Sequence, residues 1–123
     1  MSNELTTYPA DYTDLRVDVS STTPLVVTVS GEIDIATGPR LREALLGMMR
    51  RHGARLALDL GGVTFMDCAG ISALLAAHHR ARLEDGWVRV LHASRRARKV
   101  LMLTGLHQEL AVACPEAAAA AAA

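Results

Sequence analysis

Twenty residues, from Leu56 to Leu75 (LALDLGGVTFMDCAGISALL), constrain this chain more than any others. Leu56-Ala57-Leu58-Asp59-Leu60 is apolar on both faces at most positions, which suits a strand in the middle of a covered sheet. Gly61-Gly62 reads as a short turn. Beyond it Ile71, Leu74, Leu75 and His78 recur at helical spacing, and Asp67 stands where a helix N-cap belongs. A buried strand feeding an amphipathic helix commits the chain to a layered α/β arrangement.

The flanking segments extend the pattern. Leu15, Val17 and Val19 alternate with Arg16, Asp18 and Ser20 as a half-buried strand does. Thr22-Thr23-Pro24 makes a turn, and Leu25 to Val29 is a β-branched strand that Gly31-Glu32-Ile33-Asp34 carries to its end. Leu41, Ala44, Leu45, Met48 and Met49 form a helical stripe, capped by Thr37 or Gly38, with Pro39 in the first turn and His52-Gly53 at the close. Asp85-Gly86 closes the helix that Asp67 opens. Trp87 to Leu91 alternates as another strand, Ser94 caps a third helix, and Gly105 stops it. The segment Leu106 to Val112 reads as either a final strand or a helical turn. These elements predict an α/β fold: a central mixed sheet of about four to five strands, with right-handed crossovers and helices mainly on one face.

One core fits 123 residues. The expected division is a loose arm over residues 1–14, a domain over 15–112, and a low-complexity tail over 113–123 ending in seven Ala. Thirteen basic and thirteen acidic side chains cancel, which favours neither nucleic acid nor an anionic membrane overall. Basic residues gather in the later part of the chain, while residues 1–34 hold Arg16 against six acids. Cys68 and Cys114 have neither metal-ligand spacing nor the pattern of a disulfide framework, and no apolar run is long enough to span a bilayer. A cytoplasmic protein without direct membrane insertion is the expectation. No metal or cofactor is expected, since the chain lacks a Walker-type loop and a dinucleotide fingerprint.

Three segments in order carry a resemblance. Gly31-Glu32-Ile33-Asp34-Ile35-Ala36-Thr37, Leu58 to Leu75, and Arg89-Val90-Leu91 with Ser94, Val100-Leu101 and Leu103-Thr104-Gly105-Leu106 resemble the STAS domains of bacterial anti-sigma-factor antagonists. The resemblance implies the STAS fold. It also implies a partner, an anti-sigma factor that is a serine kinase of the histidine-kinase-like ATPase type. In that family the central helix opens with Asp-Ser-Ser-Gly or Asp-Ser-Thr-Gly, and the first hydroxyl accepts phosphate. Here Cys68 and Ala69 stand in those places, so the phosphoacceptor-equivalent positions are not expected to be phosphorylated.

The partner-binding residues implied are Asp34, Thr37, Asp67, Gly70 and Ser72. Each has a structural alternative. Asp67 is either a partner contact or simply an N-cap, and Asp34 either recognises the kinase or ends a strand. Cys68 is either a reactive thiol at a helix N-terminus or, as expected, a small buried filler. Ser72 and Thr64 are the neighbouring hydroxyls that a kinase would find instead. Adjacent His78 and His79 point one inward and one outward, not at a common metal.

Three functions follow. The expected one is an antagonist-like binding module. The second is a non-switching subunit of a stressosome-like or transporter assembly. The third, a small Cys68-dependent enzyme, is disfavoured because a Cys-based phosphatase loop wants Arg six residues on, where Leu74 stands.

Overall fold

The computed structural model describes residues 5–7, 15–20 and 24–110. Five strands, β1 (Leu5–Thr7), β2 (Leu15–Ser20), β3 (Leu25–Ile33), β4 (Arg55–Met66) and β5 (Trp87–Ala93), lie side by side in chain order. The β1–β2 and β2–β3 pairs are antiparallel, and β3–β4 and β4–β5 are parallel. Parallel pairs need long crossovers. Helix α1 (Gly38–His52) supplies the first and α2 (Cys68–Leu83) the second. Two further helices, α3 (Arg95–Leu103) and α4 (Leu106–Glu109), follow β5.

The register explains the core. Val19 pairs with Val27, Val27 with Leu58, and Leu58 with Val90, so one row of apolar side chains crosses four strands on a single face. All four are buried, as are Leu25, Leu56 and Val88 in the next row. Leu41, Leu45 and Met48 of α1 close over this face together with Leu74 and Ala77 of α2, forming one core. On the opposite face Val26 and Thr28 are half-buried and Arg89 is exposed. The mixed sheet with helices mainly on one face is the architecture expected.

Three local readings change. Residues 5–7 of the supposed loose arm form β1, which pairs with β2 over Leu5 to Thr7. The rest of the arm, the Ala tail and Cys114 lie outside the described residues. Gly61-Gly62 is not a turn: β4 runs on through it to Met66. The pairing of β3 with β4 slips there, from Thr28 opposite Asp59 to Ser30 opposite Gly62. Asp59 Oδ1 accepts the Gly61 N–H at 2.9 Å, and a Cβ at Gly62 would lie 2.7 Å from Ser30 Cβ. The glycines thus serve a bulge and a close approach, not a chain reversal. Finally, of the two readings kept for the last segment, Leu106–Glu109 is a helical turn. The Val90 N–H donates to the Leu110 carbonyl at 3.0 Å, so the end of α4 lies against β5.

The cap of α3 follows the sequence reading, and the close of α1 is basic. Ser94 Oγ accepts the Ala97 N–H at 3.1 Å at the start of α3, and Arg50, Arg51 and His52 sit in the last turn of α1, where the helix dipole favours cations. His78 is buried and His79 exposed, as their adjacency predicts. His78 Nε2 lies 3.1 Å from Glu109 Oε1, linking α2 to α4.

Candidate partner-docking site

The loop between β3 and α1 is built around Asp34. Its Oδ1 accepts the Ala36 N–H at 2.9 Å and the Thr37 N–H at 3.0 Å. The Asp34 N–H in turn donates to Thr37 Oγ1 at 2.9 Å. The Thr37 hydroxyl donates to the Glu32 carbonyl at 2.8 Å, with Asp34 Oδ1 a second acceptor at 3.2 Å. Thr37 sits at the N-cap position of α1 but makes no side-chain capping bond, because its hydroxyl is committed to this loop. The Thr37 backbone N–H, above all, holds the Asp34 carboxyl below its ordinary range. The Ala36 N–H and the Thr37 hydroxyl act in the same direction, and partial desolvation opposes them. Asp34 is therefore an anionic hub of a closed turn.

Asp67 begins α2 as the N-cap that its position predicts, its Oδ1 accepting the Ala69 N–H at 2.9 Å. Its own N–H donates to the Ile33 carbonyl at 3.2 Å. That bond ties the start of α2 to the residue before Asp34. The two segments singled out in the sequence are brought together at one end of the sheet.

Between them runs a groove of about 520 Å³, lined by Ile35, Pro39 and Arg42 on one side and by Asp67, Cys68 and Ser72 on the other. Cys68 is exposed, which corrects the expectation of a buried filler. As the first residue of α2 it precedes the helix's inward stripe, and nothing covers it among the described residues. Ser72, one turn on, is also exposed, as is Thr64 on β4. Sequence reasoning missed Ile35, Pro39 and Arg42. Ile35 is 83% exposed, an apolar side chain held out in solvent. The sequence hides it, since Ile33-Asp34-Ile35 continues the odd-position apolar alternation of β3 and so reads as one more inward side chain.

Gly70 is buried, beneath the surface on which it was expected to meet a partner. A Cβ there would fall 2.8 Å from Met66 Cγ and 3.0 Å from Ile33 Cγ2. Gly70→Val is therefore expected to cost about 1–3 kcal/mol of stability through overpacking, read as a lower urea midpoint. A variant as stable as the parent would mean that this packing is looser than described. Across the groove floor, a Cβ on Gly38 would lie 2.9 Å from Ala69 Cβ, so the first turns of α1 and α2 touch.

Among the described residues no group of three or more His, Cys, Asp or Glu side chains is placed to hold a metal ion. No helix among them is long and apolar enough to cross a membrane.

The family model described as STAS domain matches residues 14–119. The chain belongs to that family. This STAS domain is 29% identical over 94 residues to the anti-sigma-B factor antagonist of Bacillus subtilis, a match covering 76% of this chain and 85% of the relative. It is 32% identical over 81 residues to that of Staphylococcus aureus (strain NCTC 8325 / PS 47), covering 65% and 74%. Among solved structures, an anti-sigma factor antagonist from Mycobacterium paratuberculosis superposes with a TM-score of 0.71 at 27% identity, covering 94% of this chain and 97% of that one. The anti-sigma factor antagonist SpoIIAA in its unphosphorylated form superposes with a TM-score of 0.68 at 21% identity, covering 83% and 91%, a likeness of fold. The domain is anti-sigma-factor-antagonist-like.

Proposed function

We propose that this STAS domain docks a serine-kinase anti-sigma factor through the Asp34 turn and the first turns of α1 and α2, and that it does so without a phosphorylation switch. One observation carries the reading. The residue in the phosphoacceptor-equivalent place, Cys68, is exposed in a groove continuous with the Asp34 turn, and it offers a thiol where a Ser/Thr kinase needs a hydroxyl. Ala69 beside it offers a methyl group. SpoIIAA has been solved in a phosphorylated form as well as an unphosphorylated one. A phosphate at position 68 would add about −1.5 to −2 charges to the groove, enough to repel an acidic partner. With no acceptor at position 68, the groove stays in its unphosphorylated, docking-competent state. A bacterial cytoplasm, where such kinases work, is the corresponding location.

The apolar wall gives the sharpest test. Partners recovered from the native cell are identified, and affinity is then measured for Ile35→Asp and Ser72→Arg. Both residues are exposed, so each variant is expected to bind the recovered kinase at least about tenfold more weakly, a loss of about 1.4 kcal/mol, with an unchanged melting temperature. Recovery of a scaffold assembly or a transporter in place of a kinase, or affinities that neither variant alters, would refute the docking surface.

A further inference from the structure

The first turn of α3 places positive charge where helix physics resists it. Arg95, Arg96 and Arg98 occupy the positive end of the helix dipole, Lys99 follows, and the first turn holds no acidic residue. The ion pairs found among the described residues are Arg16–Asp18, His78–Glu109 and Arg80–Glu84, and none reaches α3. Ala97 and Leu101 face the core, so Arg95, Arg96 and Lys99 point outward. The same outward face continues into Met102 and Leu103, which are 51% and 77% exposed. Arg96 also lies over the ring of half-exposed Phe65, 5.9 Å from its centroid, and Phe65 is two residues before Asp67. The basic turn therefore borders the start of α2.

We propose that the outer face of α3, with Phe65, is a second interaction surface that takes an acidic protein segment carrying an apolar side chain. Four cations with no acidic partner among the described residues make this face complementary to an anionic occupant. Arg, Met and Phe are types enriched in protein interfaces, and exposed Met102 and Leu103 match a polypeptide's mixed side chains better than a phosphate backbone. An anionic segment also answers the dipole, placing negative charge where the helix favours it. The surface shares no residue with the lining of the groove beside Cys68.

The test uses the full chain and a Glu-rich synthetic peptide bearing one Leu, with a Gln-for-Glu peptide, phosphatidylglycerol vesicles and duplex DNA as comparisons. The Glu peptide is expected to bind in low salt, to weaken as salt rises, and to shift the amide resonances of Arg95 to Lys99 and Phe65. The triple variant Arg95→Glu, Arg96→Glu, Lys99→Glu is expected to weaken binding at least about tenfold while raising the melting temperature by about 1–4 °C, since acids at a helix start are stabilising. Reversal at Arg50 and Arg55, away from α3, should leave binding intact, and so should Ile35→Asp, which separates this surface from the kinase groove. Three results would overturn the proposal: no binding of the Glu peptide, equal binding by the triple variant, or tighter binding of vesicles or DNA than of the peptide.

Discussion

Leu58→Ala is expected to lower the unfolding free energy by about 2–5 kcal/mol, the range for truncating a buried leucine. Leu58 is fully buried in β4, an interior strand, with Val27 of β3 and Val90 of β5 paired on either side. Those neighbours are β-branched and held by the sheet, so they cannot collapse into the space left behind, and the cavity persists. Leu74→Ala is expected to cost a similar amount from the helical side of the same core. Domains of this kind hold about 5–15 kcal/mol in total, so either variant should unfold at a much lower urea concentration. Thr64→Ala, on an exposed position of β4, should move the midpoint little. If Leu58→Ala cost less than about 1 kcal/mol, the closed row from Val19 to Val90 would not be the core of this domain.

The second large effect is chemical. Incubated with the recovered kinase and ATP, the parent protein is expected to keep its mass, whereas Cys68→Ser gains one phosphate. The variant changes a single atom at an exposed site, so the fold and the docking contacts stay as they are. The phosphate would meet a helix N-terminus, which favours anions. It would compete there with Asp67, whose Oδ1 already holds the Ala69 N–H. Binding of the variant should then become ATP-dependent. Intact-mass measurement decides the matter: a phosphate on Ser72 or Thr64 of the parent, or a kinase that binds Cys68→Ser yet leaves it unmodified, would contradict the loss of the acceptor alone.

What could be read from the residues was mostly what depends on near neighbours. Asp67 and Ser94 reach N–H groups two and three residues away, so their capping roles were visible from spacing. The apolar stripes of α1 and α2 likewise show their phase directly. Gly61-Gly62 misled because the reason for those glycines lies across the sheet, in the close approach of Ser30. Strand β1 was hidden for the same reason, since three residues without alternation become a strand only through pairing with β2. At the candidate site, the places of Asp34 after β3 and of Ser72 one turn into α2 were legible from spacing, but the exposure of Cys68 depends on where the Asp34 turn leaves space. The burial of Gly70 was within reach: it precedes Leu74 by one turn and so lies on the inward stripe.

The bond from the Asp67 N–H to the Ile33 carbonyl has a kinetic consequence. It locks the Asp34 turn and the head of α2 into one rigid template before any partner arrives. A surface of that kind loses little chain freedom on association. Encounter rates should then be nearly the same for groove variants that leave the charge unchanged, such as Ile35→Ala, and differences in their affinity should appear as differences in how long the complex lasts.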